Sequence, residues 1–127
     1  MPPMFSVVIP LFNKERFVER CITSVLSQSE MDYEVIVVDD GSTDASLSAV
    51  ESFNNEKISV VSQRNQGAGP ARNRGVAEST GKWIAFLDAD DVWTQDHLTE
   101  IRKVIDEFAE AGMNSGERLM LFLHGWS

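Results

Sequence analysis

One cysteine, Cys21, stands among 127 residues, so no internal disulfide can form. A reducing setting is expected, namely the cytoplasm, either free or peripheral to a membrane. With only two histidines beside that cysteine, there is no Cys/His cluster of the kind that holds zinc. Positive charge is scarce as well. Eleven Lys and Arg face twenty Asp and Glu, a formal charge of −9. Nucleic-acid backbones are bound through Lys and Arg, so a nucleic-acid partner is not expected. No apolar run approaches the roughly 18 residues that a membrane-spanning helix needs. The N-terminus has no basic segment followed by a long apolar one, so no signal peptide is expected. Internal repeats, low-complexity tracts and interdomain linkers are also missing. What remains is one domain or part of one, with 43% apolar residues to build a core.

The most informative stretch is Trp83-Ile84-Ala85-Phe86-Leu87-Asp88-Ala89-Asp90-Asp91. It begins as an apolar run, as in a strand buried on both faces, and ends in three carboxylates within four positions. In extended backbone Asp88 and Asp90 would share a face, about 6.5 Å apart along the strand. A turn there can bring both to one hard cation, and oxygen ligands suit Mg²⁺ or Mn²⁺. The same spacing also fits acids left in solvent before the next helix.

Similar strands recur along the chain. Phe5 to Pro10 reads as a first buried strand, Tyr33 to Val38 as a second and Lys57 to Gln63 as a third. Between them lie helical periodicities over 14–28, from a Ser42-Thr43-Asp44 cap to about Phe53, and from Pro70 to about Ser79. A last helix is expected from a Thr94 cap to Gly112, with Leu98, Ile101, Val104, Ile105 and Phe108 on one side. Residues 113–127 carry one candidate strand, Leu119 to Leu123, and are otherwise unassigned. The fold class is therefore α/β: a Rossmann-like parallel sheet flanked by helices on both faces, over 4–112.

In such sheets the strand C-termini share one rim, where ligands bind. Asn13, Asp39, Asp40, 64–69 and 88–91 would lie along it. Asp39 can accept hydrogen bonds from a ribose or base, or can simply close the turn with Gly41. The turn role suits Asp40. Arg72 and Arg74 follow a Gly-containing loop, where a guanidinium would favour a diphosphate. Two apart on a helix, they cannot both reach one spot. Lys14 reads as a surface lysine, Trp93 as a packing anchor, and His97 as structural or solvated. Cys21 lies on an apolar helix face and reads as a core thiol.

Four blocks together resemble the family 2 glycosyltransferases, inverting enzymes of the type-A fold. They are Phe5 to Asn13, Glu34 to Asp44, Asn65 to Gly67 with Ala71 to Gly75, and Phe86 to Asp91. The resemblance covers roughly residues 4 to 112. It implies a nucleotide-sugar donor, usually a UDP-sugar, and an acceptor that is a glycan or a lipid-linked sugar. Pro10, Leu11, Phe12, Asn13 and Asp39 would line the nucleoside pocket, with Asp39 reading the base. Arg72 would lie near the diphosphate. Asp88, Ala89 and Asp90 would form the D-x-D element, Asp88 towards the ribose and Asp90 on a Mn²⁺ or Mg²⁺ ion. Family members typically continue for roughly another hundred residues, which carry the acceptor site and the catalytic base. No residue after Asp91 matches that base, so the chain is expected to hold the donor site and to self-associate through the edge left bare. Two rivals remain: a catalytically silent donor-binding module, and a phospho-receiver domain using Asp39, Asp40 and Asp88.

Overall fold

The computed structural model describes residues 1–110 and 119–121. The elements alternate: β1 (Phe5–Leu11), α1 (Val18–Leu26), β2 (Tyr33–Asp39), α2 (Ser46–Glu51), β3 (Ile58–Ser62), α3 (Ala68–Glu78), β4 (Trp83–Phe86), α4 (His97–Glu110) and β5 (Leu119–Leu121). All strand pairs are parallel, in the order β3-β2-β1-β4-β5. β1 is central because it is apolar on both faces. Phe5, Val7, Ile9 and Leu11 face one layer and Val8 the other, all fully buried. Burying each such side chain contributes roughly 1.5–3 kcal/mol.

The two layers are unequal. Residues of α1, α2 and α4 (Cys21, Ile22, Val25, Val50, Leu98 and Ile105) cover the odd-numbered face of β1. On the other face, among the described residues, α3 contributes Ala71 and Val76, against Val8, Ile36, Val38, Ile84 and Phe86. α3 can lie this close because of Gly75: a Cβ there would collide with the side chain of Val8.

Helix ends differ from the periodicity. Residues 15–17 form a turn rather than a first helical turn, with the N–H groups of Phe17 and Val18 both donating to the Lys14 carbonyl at 2.9 Å. α2 stops at Glu51, and the Phe53 N–H closes a turn onto Val50. Asp44 does not cap α2 from the N-cap position; it accepts the Ser46 N–H at 2.9 Å and the Glu15 N–H at 3.3 Å, joining two loops. β5 pairs with β4 in the register Trp83↔Leu119, so three residues of 113–127 belong to the same sheet. The rest of the strand expected there, 122–123, lies outside the described residues. Among the described residues no helix is long and apolar enough to cross a membrane.

Candidate functional site

The strand order turns back between β1 and β4. The chain winds outward from β1 through β2 to β3, and β4 then starts on β1's other side. At such a switch point the loops leaving the two strands part and open a crevice. An open cavity of about 480 Å³ lies here. Its walls are the end of β1 and the loop after it (Pro10, Leu11, Phe12, Lys14), the start of α3 (Ala68, Ala71, Arg72) and the loop after β4 (Asp88, Ala89, Asp90). Asp40, Asn65 and Gly67 close the β2–β3 side.

Of the residues expected at the site, Pro10, Leu11, Phe12, Arg72, Asp88, Ala89 and Asp90 face the cavity. Asn13 and Asp39 stand beside it. Asn13 is exposed and adopts a left-handed φ of 49°, which Asn tolerates better than most residues. Its Oδ1 accepts the Thr43 N–H at 2.8 Å, and its own N–H donates to Ser42 Oγ at 3.1 Å. Asn13 thus ties the β1 loop to the β2 loop. Asp39 is only 4% exposed, and its Oδ1 accepts the Ser42 N–H at 3.2 Å, a turn contact.

Asp40 takes a larger role than its own turn requires. It is 3% exposed and accepts from Gln63 Nε2 (2.9 Å), the Gln66 and Gly67 N–H groups (2.9 Å each) and Asn65 Nδ2 (3.2 Å). Burial pushes its carboxyl up, but the Gln63 side chain and the two backbone N–H groups outweigh this and hold it below the usual range. The β3–α3 loop is thereby shaped around one carboxylate. Gly41 makes room for it: its φ is +79°, and a Cβ would come within 2.9 Å of the Asn65 nitrogen.

The loop after β4 is built differently. The Asp91 N–H donates to the Asp88 carbonyl at 3.0 Å, turning the chain so that the carboxylates converge. Oxygens of Asp88, Asp90 and Asp91 lie within 4.8 Å of one another. Asp91, absent from the pair expected from sequence, is part of this cluster. Two cations approach it. Arg72 Nη2 lies 3.4 Å from Asp88, and Lys14 Nζ 3.8 Å from Asp90. Arg74, by contrast, points along α3 to Glu78. Lys14 is a half-exposed surface lysine, as expected, and it also lines the cavity. Three converging carboxylates with oxygen-only donors fit a hard divalent cation such as Mn²⁺ or Mg²⁺.

One face of α1 carries this loop. Cys21 Sγ donates to the Asp88 carbonyl at 3.5 Å, and Ser24 Oγ accepts the Trp93 N–H at 3.1 Å. Gln28 Nε2 donates to the Thr94 carbonyl at 2.6 Å while its Oε1 accepts the Leu98 N–H at 2.9 Å. A spacing of three puts Cys21 and Ser24 on one face of α1, and Gln28 follows two residues past the helix end, where its N–H turns back onto the Val25 carbonyl at 3.2 Å. Burial, then the charges of Asp91, Asp90 and Asp88, push the Cys21 thiol up to about 12, so it is an inert core thiol. Trp93 is buried and stacks on His97, with ring centroids 4.5 Å apart. Both are packing residues. Burial lowers the His97 pKa.

A parallel sheet in this order, with its cavity at the β1/β4 switch point, defines an α/β domain of the doubly wound class. The chain belongs to glycosyl transferase family 2, whose sequence model matches residues 6–114. It is 45% identical over 102 residues to an uncharacterized glycosyltransferase (alr2836) of Nostoc sp., covering 78% of this chain and 32% of that protein. It is similar to the structure of S. aureus TarS 1-349 in complex with UDP-GlcNAc, at 33% identity and a TM-score of 0.78, over 84% of this chain and 32% of that one. A mannosyltransferase from Pyrobaculum calidifontis in complex with GDP-Man and Mn²⁺ matches at 27% identity and a TM-score of 0.67, over 73% and 29% of the two chains. The fold is that of the Rossmann-like part of type-A glycosyltransferases. The chain spans about a third of the length of the Nostoc relative and about half that of a Bacillus subtilis one. The receiver reading falls on topology too, because receiver sheets run 2-1-3-4-5.

Proposed function

We propose that this chain forms the donor site of a glycosyltransferase that moves a sugar from a nucleotide-sugar, a UDP-sugar first among the candidates, to a glycan or lipid-linked acceptor. The observation that carries this reading is the cavity at the switch point, with an acidic cluster on one wall and Arg72 and Lys14 beside it. The relatives' complexes with UDP-GlcNAc and GDP-Man support the donor class.

The roles proposed combine the family resemblance with position. Pro10, Leu11 and Phe12 give the nucleoside an apolar wall. Asp39 is the assigned contact to the base, at the β2 end, where the oxygens of Asp40 are already taken by the 63–67 loop. Asp88 faces the ribose. Asp90 holds the cation, with Asp91 close enough to join it. When bound there, a divalent ion supplies Lewis-acid neutralisation of the departing diphosphate. Arg72 adds a charged donor to the same oxygens.

General-base catalysis needs a group within hydrogen-bond reach of the acceptor hydroxyl, and no described residue is assigned that task. That observation keeps a second reading alive, in which the chain binds the donor without transferring it. Calorimetric titration with UDP, GDP and CDP in Mn²⁺ tests the first step. One nucleotide is expected to bind in preference to the others, and a protein that takes none of the three refutes the donor site. Release of free sugar or transfer from the matching nucleotide-sugar then separates enzyme from silent module.

A further inference from the structure

Lys14 has a use that the donor reading leaves open. Its backbone is held on both sides. The N–H donates to the buried Ser46 Oγ at 2.8 Å, and the carbonyl accepts from Phe17 and Val18 at 2.9 Å. Only the side chain is free to move, and it lies along the cavity with its ammonium 3.8 Å from Asp90 Oδ2. Both partners are close to half exposed, at 40% and 46%. Such a pair is weak and easily exchanged. Arg72 differs: its Nε is buried without a hydrogen-bond partner while Nη2 pairs with Asp88, so its guanidinium is more enclosed.

We propose that Lys14 is a movable placeholder for the cation. In the cation-free domain it neutralises Asp90. When a divalent ion takes that carboxylate, like-charge repulsion drives the ammonium off, and its short tethered arc brings it to the phosphates of the incoming diphosphate. A lysine suits this exchange better than an arginine, being a compact charge on a flexible stem with three rotatable donors. One residue thus weakens cation binding in the empty site and strengthens diphosphate binding in the filled one. This inference rests on the donor reading above.

The two effects have opposite signs, which a structural role could not produce. Free Mn²⁺ would be followed by electron paramagnetic resonance, and UDP at saturating Mn²⁺ by calorimetry. In Lys14→Met, Mn²⁺ alone should bind about threefold tighter, the scale of an exposed ion pair. UDP should bind about ten- to a hundredfold more weakly, as expected for one lost hydrogen bond to a charged group. Lys14→Gln should repeat both shifts, and Lys14→Arg should recover most of the UDP affinity. Melting midpoints should stay with the wild type, because the anchoring contacts are backbone ones. If both affinities fall together, or neither moves while the wild type binds UDP normally, the placeholder is refuted and the donor site stands. A wild type that binds no UDP overturns both.

Discussion

Glu34 and Asp40 sit at opposite ends of the sheet and are both consumed by it. Glu34 accepts from Ser6 Oγ (2.5 Å), the Thr80 N–H (2.6 Å) and Thr80 Oγ1 (3.0 Å), fastening the loop before β4 to β1 and β2. Asp40 does the same for the loop before α3. Asp88 and Asp90 are the opposite kind of acid. They are 39% and 46% exposed and are held by one guanidinium and one ammonium at 3.4 and 3.8 Å. All four are carboxylates at strand ends or in the loops beyond, yet two have spent their lone pairs on the chain's own N–H and O–H groups. The other two keep theirs for something else. Across this sheet, saturation by the chain's own donors marks acids used for structure, and convergence without such donors leaves acids open to a ligand.

The largest effect should come from the saturated side. Asp40→Ala strands two backbone N–H groups and two side-chain amides, and should cost about 3 kcal/mol. Urea denaturation would show it as a lower midpoint at unchanged slope. A loss under about 0.5 kcal/mol would erase the distinction. Glu34→Gln keeps the shape but weakens charge-assisted bonds, and should cost about 1 kcal/mol in the same assay. Acid should act on the same side. Burial pushes Glu34 and Asp40 up, but hydrogen bonds from Ser6 and Thr80, and from Gln63, Gln66 and Gly67, hold both below their ordinary values. Their contribution is full above about pH 4.5 and is lost as pH falls through the lowered folded values. His97, with a lowered pKa, adds an earlier loss below about pH 6.5, since the unfolded chain takes the proton more readily. Denaturation midpoints across this range should therefore fall on acidification, and a rise would break the assignment.

Much of this was legible in the chain. Buried β-branched runs ending in Pro10, Asp39 and Asp88 mark the strands and place their C-terminal loops on one rim. The D-x-D spacing marks the acidic loop. The structural role of Asp40 was legible but its partners were not, because side-chain direction in a βα turn depends on which loop packs against it. Here that loop is 63–67, more than twenty residues on. The Gln28 clamp and the Lys14–Asp90 pair escaped for the same reason: each joins segments that only the folded sheet brings together. Helix starts were overextended where exposed polar residues keep a helical period while forming a turn, as at 15–17.

The most direct measurement is a paired one on Asp90→Ala. It combines the urea midpoint with calorimetric binding of UDP, with and without Mn²⁺. A carboxylate held for a cation and not for the fold should leave stability within about 0.5 kcal/mol of wild type while Mn²⁺-dependent binding disappears. Unchanged binding, or a stability loss like that of Asp40→Ala, would contradict the account.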